Sequence, residues 1–101
     1  MKFRIKKQIT QSEYYIYLLL EEFTPADSAK ATKFGTPKLV VKGSNGVNMN
    51  IPITALGNTV PFGFASQNEA DVYAENLKRE IVALKERWDA LEDTWSKDEL
   101  I

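Results

Sequence analysis

The sequence predicts a single α+β domain, in which an antiparallel sheet of four to five strands from two hairpins is followed by one long C-terminal α-helix packed on one face. Two observations predict this fold. Apolar and polar residues alternate in residues 2–9 and 47–53, and from residue 66 onward the apolar residues recur at helical spacing. Because 101 residues can bury one modest core, we expect one domain over residues 1–101.

The first hairpin is predicted from two adjoining segments. In residues 2–9, Phe3 and Ile5 fall on one side of a strand, and the basic residues between them fall on the other. Residues 14–23 are aromatic and aliphatic at both parities, which is typical of a central strand. The polar residues 10–13 separate the two segments, so we expect the segments to pair as a hairpin.

Residues 24–37 are predicted to form a mobile loop. The segment is rich in Ala, Thr and Lys, and it contains Pro25, Gly35 and Pro37 as breakers of regular structure. Loops of this length are uncommon in small domains and frequently carry function. The segment is therefore a candidate part of the functional site.

The second hairpin is predicted from the dipeptide Asn45-Gly46. Both central positions of a type I′ turn need a positive φ, which Asn and Gly tolerate best. This turn would pair residues 38–44 with residues 47–53. A further extended segment is expected at residues 60–65.

The C-terminal helix is predicted over residues 66–96, with a frayed tail at residues 97–101. Ser66 and Glu69 have the spacing of a capping box, in which the Ser66 hydroxyl accepts a hydrogen bond from the Glu69 amide. The apolar residues then follow in alternating steps of four and three, which is a heptad repeat. The repeat consists of Ala70, Ala74, Leu77, Ile81, Leu84, Trp88, Leu91 and Trp95.

The apolar stripe of this helix has two interpretations. In the second half of the helix the stripe is narrow, which suits a seam between two helices and predicts a homodimer or a helix that docks on another protein. Alternatively, one amphipathic helix packs wholly within its own monomer. The residues predicted at a dimer or partner interface are Leu84, Trp88, Leu91 and Trp95.

Composition excludes several classes of enzyme. The chain contains no Cys and no His, which removes thiolate nucleophiles, imidazole bases and the metal sites that these side chains build. The glycines match neither a dinucleotide-binding nor a phosphate-binding loop. We therefore expect no enzyme activity, no cofactor and no metal. No apolar run is long enough to cross a bilayer, so we expect no membrane contact, and the absence of Cys favours the cytoplasm.

Charge is segregated along the chain. Residues 1–60 carry eight Lys or Arg against four Asp or Glu, and residues 61–101 carry five against ten. Cations interleaved with tyrosines are the ingredients of a platform for single-stranded nucleic acid, because bases stack on rings while cations follow phosphates. The alternative is a solvated edge strand beside core tyrosines. The residues predicted to bind nucleic acid are Lys2, Arg4, Lys6, Tyr14, Tyr15, Tyr17, Lys30, Lys33, Lys38 and Lys42.

The sequence thus favours a non-catalytic, homodimeric binding module, with single-stranded nucleic acid as the best candidate ligand. The alternative is a protein–protein adaptor or inhibitor that uses the C-terminal helix. The two hypotheses depend on different surfaces, the basic and aromatic strand face and the end of the helix. The fold decides which of these surfaces is open to a ligand.

Overall fold

The computed structural model describes residues 1–42, 46–58, 62–95 and 100, and for residues 57–58 and 92–95 the description covers the backbone. The expected α+β class is confirmed. A long C-terminal helix follows the strands, and a second, shorter helix lies between the two hairpins. The elements are β1 (Lys2–Thr10), β2 (Glu13–Glu22), α1 (Pro25–Phe34), β3 (Lys38–Lys42), β4 (Asn48–Pro52), a 3₁₀ helix (Ile53–Asn58), β5 (Phe62–Phe64) and α2 (Gln67–Trp95).

The described strands form two sheets, whereas the sequence predicts one. One sheet has three antiparallel strands in the order β1-β2-β5, and the other is the hairpin β3-β4. The 3₁₀ helix packs against β2 and buries Ile53 and Leu56.

The β1-β2 hairpin is confirmed. Thr10 lies opposite Glu13, so Gln11 and Ser12 form a two-residue turn. Both turn residues have positive φ, 49° and 70°, as a type I′ turn requires. Neither is Gly or Asn, which is why the sequence shows only a polar break here.

The β3-β4 hairpin is confirmed, but its predicted register is wrong by one residue. Lys38 lies opposite Pro52 and Leu39 lies opposite Ile51, whereas a two-residue turn at Asn45-Gly46 would place Lys38 opposite residue 53. In the observed register the apolar side chains of both strands share one face. A slip by one residue would place these apolar side chains opposite polar ones. Leu39 is fully buried and needs an apolar partner, so its burial favours the observed register. Of the predicted turn dipeptide, Asn45 lies outside the described residues, and Gly46 has a positive φ of 79°.

The expected mobile loop at residues 24–37 is wrong, because most of the segment is helix α1. Thr24 is the N-cap of this helix, and it forms a capping box in which the Thr24 hydroxyl accepts from the Asp27 amide at 3.1 Å and the Asp27 carboxylate accepts from the Thr24 amide at 3.0 Å. Pro25 is at the first helical position, where its missing N–H costs nothing. Gly35 caps the other end at a φ of 92°.

Helix α2 supplies much of the core. Its N-terminus is capped by Ser66, since the Glu69 amide donates to the Ser66 hydroxyl at 3.2 Å, which is the first of the two hydrogen bonds of the predicted capping box. No helix in the described part of the chain combines the length and the hydrophobicity that a membrane span requires. The buried core residues are Ile16, Leu18, Leu39, Val41, Ile53, Leu56, Ala70, Ala74, Leu77, Leu84 and Trp88.

Candidate functional site

The structure brings part of the predicted nucleic-acid site together on one sheet face. Lys6 lies opposite Tyr17 and Arg4 lies opposite Leu19, so these side chains share the face of the β1-β2 hairpin that points away from the buried Ile16. We call this surface, with its residues Arg4, Lys6, Tyr15 and Tyr17, the outer face. The Lys6 ammonium lies 5.7 Å from the centre of the Tyr17 ring, a cation–π distance.

Tyr14 does not belong to the outer face. It lies opposite Ile9 and Phe64, and its side chain packs against the buried core. Neighbouring residues of a strand point to opposite faces, so Tyr14 and Tyr15 were never both able to join one platform. Tyr14 therefore lies on the opposite face of the sheet from the outer face, as strand parity alone indicates.

Tyr15 lies over the backbone of Gly63 on the neighbouring strand. A Cβ at Gly63 would be 3.1 Å from the Tyr15 ring, so the missing side chain lets the ring lie against the sheet. The Tyr15 hydroxyl donates a hydrogen bond to the Glu13 carboxylate, and this bond raises the pKa of Tyr15 above its ordinary value. The ring is thus held in place on a half-buried surface.

Two of the three cations predicted on this hairpin have carboxylate partners, and the third, Lys6, lies over the Tyr17 ring. Arg4 forms an ion pair with Glu21, and the Lys2 ammonium lies 3.4 Å from the Glu22 carboxylate. Together with Glu13 beside Tyr15, these carboxylates balance the positive charge of the outer face. The aromatic half of the predicted platform is present, but the net positive charge that attracts phosphates is not.

Lys30 and Lys33 lie elsewhere, on α1. Both line a groove of about 380 Å³ between α1 and α2, which also contains Phe34 and Trp88. The Lys30 ammonium lies 4.9 Å from the centre of the Trp88 ring and donates a hydrogen bond to the Trp88 carbonyl oxygen. The structure therefore separates these two lysines from the outer face.

Lys38 and Lys42 lie at the two ends of β3, where the strand packs along α2. Lys42 lines a cavity of about 340 Å³ together with Arg79, and Lys38 lines a second cavity of about 270 Å³ together with Arg87. We call this surface, formed by Lys38, Lys42, Arg79 and Arg87, the basic flank. None of its four cations forms an ion pair with a carboxylate of the described residues.

The spacing along the basic flank is regular. Arg79 and Arg87 are eight residues apart on α2, about 12 Å, and Lys38 and Lys42 are four residues apart on β3, about 13 Å. The two cation pairs therefore bracket the seam between strand and helix. Among the described residues that line its two cavities, Glu80 is the carboxylate that opposes them.

The Lys42 end of the basic flank is held by Tyr73. The Tyr73 hydroxyl donates to the Lys42 carbonyl oxygen at 2.8 Å, and the Tyr73 ring lies 5.0 Å from each of the Phe62 and Phe64 rings. Burial raises the pKa of Tyr73 to about 12. At neutral pH the hydroxyl is therefore a firm donor that ties β3 to α2.

Arg79 and Arg87 are the functional candidates that the sequence does not reveal. They lie in the half of the chain with a net negative charge, and the helix around them is rich in carboxylates. Their eight-residue spacing, slightly more than two helical turns, is the one signal that places them on a common side of α2. Their partnership with Lys38 and Lys42 depends on tertiary packing.

Leu84 and Trp88, which are predicted at a dimer or partner interface, are buried within the monomer, with 2% and 5% of their surfaces exposed. Their stripe of α2 packs on the protein's own sheets, as the second interpretation of the heptad expects. Leu91 is half-buried, and the side chain of Trp95 lies outside the described residues. A contact of Leu91 and Trp95 with another polypeptide stays a prediction.

No protein-family model, curated protein or solved structure matches the chain. The candidate surfaces are therefore assigned from geometry and charge.

Proposed function

We propose that the protein is a non-catalytic binding module for single-stranded nucleic acid, and that the strand lies along the basic flank. The observation that carries the proposal is the set of four cations along the β3-α2 seam, which form no ion pair with a described carboxylate. Unpaired Lys and Arg side chains attract a phosphate backbone more strongly than paired ones, because no carboxylate has to be displaced first.

The size of the basic flank suits an extended backbone. Successive phosphates of one stacked DNA strand are about 3.4 Å apart along the helix axis, so the roughly 12 Å from Arg79 to Arg87 spans several phosphates of such a strand. The lysine ammonium groups on the β3 side of the seam and the arginine guanidinium groups on the α2 side then contact phosphates of the nucleic acid. Such contacts do not depend on the base sequence. We expect affinity that depends on charge and little on base identity.

The test is a fluorescence anisotropy titration with a labelled single-stranded oligonucleotide at rising salt. If all four cations neutralise phosphates, the logarithm of the binding constant falls with the logarithm of salt concentration with a slope of about −2.8. The double substitution Lys38→Gln with Arg87→Gln removes two contacts, and it should reduce the slope to about −1.4.

The matched control is Lys2→Gln with Arg4→Gln, which removes two cations from the β1-β2 hairpin and changes the net charge equally. This control should leave the slope unchanged, since both cations are paired with carboxylates. An equal loss in the two variants would show that net charge, and not the basic flank, attracts the strand. No binding by the unchanged protein at low salt would refute the function itself.

Self-association is a separate proposal, and the same samples test it. The heptad stripe that motivated a homodimer is buried in the monomer at Leu84 and Trp88, so a dimer has to use other residues. Light scattering after size exclusion gives the mass of the free protein and of the complex. A monomer mass in both states would contradict a homodimer.

A further inference from the structure

The outer edge of β4 is open to another strand. In the described part of the chain, β3 is the one strand that pairs with β4. Alternate residues of a strand direct their backbone N–H and C=O groups to opposite sides, so the side of β4 away from β3 presents a row of these groups. Asn48, Met49 and Asn50 are exposed, so a partner strand has access to this edge.

β4 lacks the charges that protect the edge of the first sheet. That edge is β1, which carries four Lys or Arg and no Asp or Glu. Such a row of cations keeps a second copy away, because like charges would meet across the new pair of strands. The residues of β4, Asn48–Pro52, include no charged side chain. Two copies can therefore approach along β4 without this repulsion.

The side chains of β4 are also complementary to themselves. Two identical antiparallel strands related by a twofold axis pair their residues symmetrically around one central residue. With Met49 at the centre, Met49 faces its own copy, and Asn48 faces Asn50 of the second copy. Met49 lies opposite Val41 on the buried face of the hairpin. Apolar side chains therefore meet on one face of the new pair, and amides meet on the other.

The exposure of Met49 follows from its place on the edge strand. Its neighbour Val41 is 1% exposed, whereas Met49 on the same face is 41% exposed. A second copy paired with β4 would cover the open side of the Met49 side chain. Thioether side chains are flexible and pack well against each other at such contacts.

Pro52 selects the centre of the pairing. It is the last residue of β4, and it has no backbone N–H to donate to a ladder. A pairing centred on Asn50 would place Pro52 opposite Asn48 and within the ladder. A pairing centred on Met49 leaves Pro52 beyond the paired residues, so this centre is favoured.

We infer that two copies of the chain pair through β4 with Met49 on the twofold axis, which gives a four-stranded sheet in the order β3-β4-β4-β3. The inference rests on the self-association proposed above and names its contact, and it does not depend on nucleic acid. β3 and α2 keep their own contact, so the basic flank stays open. Because β4 has five residues, the interface is small, and we expect a dimer that dissociates on dilution.

The first test is sedimentation equilibrium at protein concentrations from about 10 μM to about 1 mM. The mass should rise with concentration from that of a monomer towards that of a dimer. Met49→Lys and Met49→Glu should each stay monomeric, because like charges would then face each other on the axis. A monomer mass for the unchanged protein at the highest concentration would overturn the homodimer and the β4 contact together.

A mixture of the two variants separates a lost contact from a lost fold. Equal amounts of Met49→Lys and Met49→Glu should form a dimer again, since opposite charges then meet on the axis. Circular dichroism checks that each variant is folded, as we expect for a side chain that is 41% exposed. If both variants are folded and the mixture stays monomeric, Met49 does not face its own copy.

The matched control is Ile9→Lys, which adds the same charge to an exposed apolar residue of β1. Ile9 is 67% exposed, and this variant should form the dimer as the unchanged protein does. A dimer that is lost in Ile9→Lys and kept in Met49→Lys would use the β1 edge. That outcome would overturn the β4 contact and leave self-association in place.

Cross-linking tests the register. The chain contains no Cys, so Met49→Cys introduces a single thiol. Directly opposed residues of antiparallel strands have Cα atoms about 4.5–5.5 Å apart, a distance that a disulfide spans. In the same pairing the Cα atoms of the two copies of Asn50 would be about 8 Å apart, beyond the reach of a disulfide.

Oxidised glutathione should therefore link Met49→Cys into a covalent dimer at least tenfold faster than Asn50→Cys. Equal rates, or a faster reaction of Asn50→Cys, would overturn the pairing centred on Met49.

Discussion

The outer face and the basic flank both contain lysine and arginine side chains but differ in what surrounds their charges. On the outer face Arg4 is paired with Glu21, and Lys6 lies over the Tyr17 ring. On the basic flank Lys38 and Lys42 lie beside arginines of α2. A cation therefore indicates a binding surface only when its carboxylate neighbours are known, and those neighbours depend on strand register and helix packing.

The largest expected effect comes from breaking the support of the basic flank. Leu84 is buried where α2 packs on β3, and it lines the cavity between Lys38 and Arg87. Leu84→Ala should lower the free energy of unfolding by about 2–5 kcal/mol, because it leaves a cavity in the core. Urea denaturation measures this change.

The control for that substitution lies on the same helix. Val82 is 55% exposed, so Val82→Ala should change the free energy of unfolding by no more than about 0.5 kcal/mol. Similar losses for the two variants would contradict the one-sided packing of α2 on which the basic flank depends.

The next largest effect is expected at Asp27, whose carboxylate is less exposed to solvent than that of Glu21 beside the outer face. Burial alone would raise the pKa of Asp27, but hydrogen bonds from the N-terminal ammonium and Thr24 lower it to about 2. Asp27→Asn should lower the free energy of unfolding by about 2 kcal/mol at neutral pH. Because the folded pKa is depressed, this stabilisation is present above pH 4 and is lost as the pH falls towards 2.

Urea denaturation of the unchanged protein and of Asp27→Asn between neutral pH and about pH 2 checks this sign. The difference between the two proteins should shrink as the pH falls. A difference that stays constant with pH would show that Asp27 stabilises α1 through its shape and not through its charge.

The smallest expected effect lies on the outer face itself. Arg4 and Glu21 are an exposed ion pair, so a double-mutant cycle with Arg4→Gln and Glu21→Gln should give a coupling free energy of about 0.2–1 kcal/mol that falls at high salt. Oligonucleotide affinity should stay unchanged in the double variant. A tenfold loss of affinity would indicate that the oligonucleotide binds the outer face and not the basic flank.

The sequence predicts the elements whose patterns are local. The alternation around Phe3 and Ile5 indicates which side of β1 is buried, and the heptad indicates which side of α2 is buried. Both β1 and α2 are confirmed. Helix α1 has no buried side chain, so it leaves no periodic pattern to recognise. Its signals are the capping residues Thr24 and Asp27 and the proline at its first position, and Pro25 is easily mistaken for a breaker.

The candidate site is predictable only in part, for a similar reason. Lys38 and Lys42 follow from the charge of the N-terminal half, and Tyr14 can be removed from the outer face by strand parity. The pairing of Arg4 with Glu21 requires the hairpin register, in which Arg4 and Glu21 are diagonal neighbours. The approach of Arg87 to Lys38 requires the packing of α2 along β3, which no local pattern encodes.

The turn of the β1-β2 hairpin has a consequence for protein engineering. Gln11 and Ser12 adopt left-handed backbone conformations that cost residues with a side chain on the order of 1 kcal/mol each. Asn and Gly occupy the same conformations with less strain. Replacing Gln11 and Ser12 by Asn and Gly should therefore raise the thermal stability of the protein, and it leaves the cations of the basic flank unchanged.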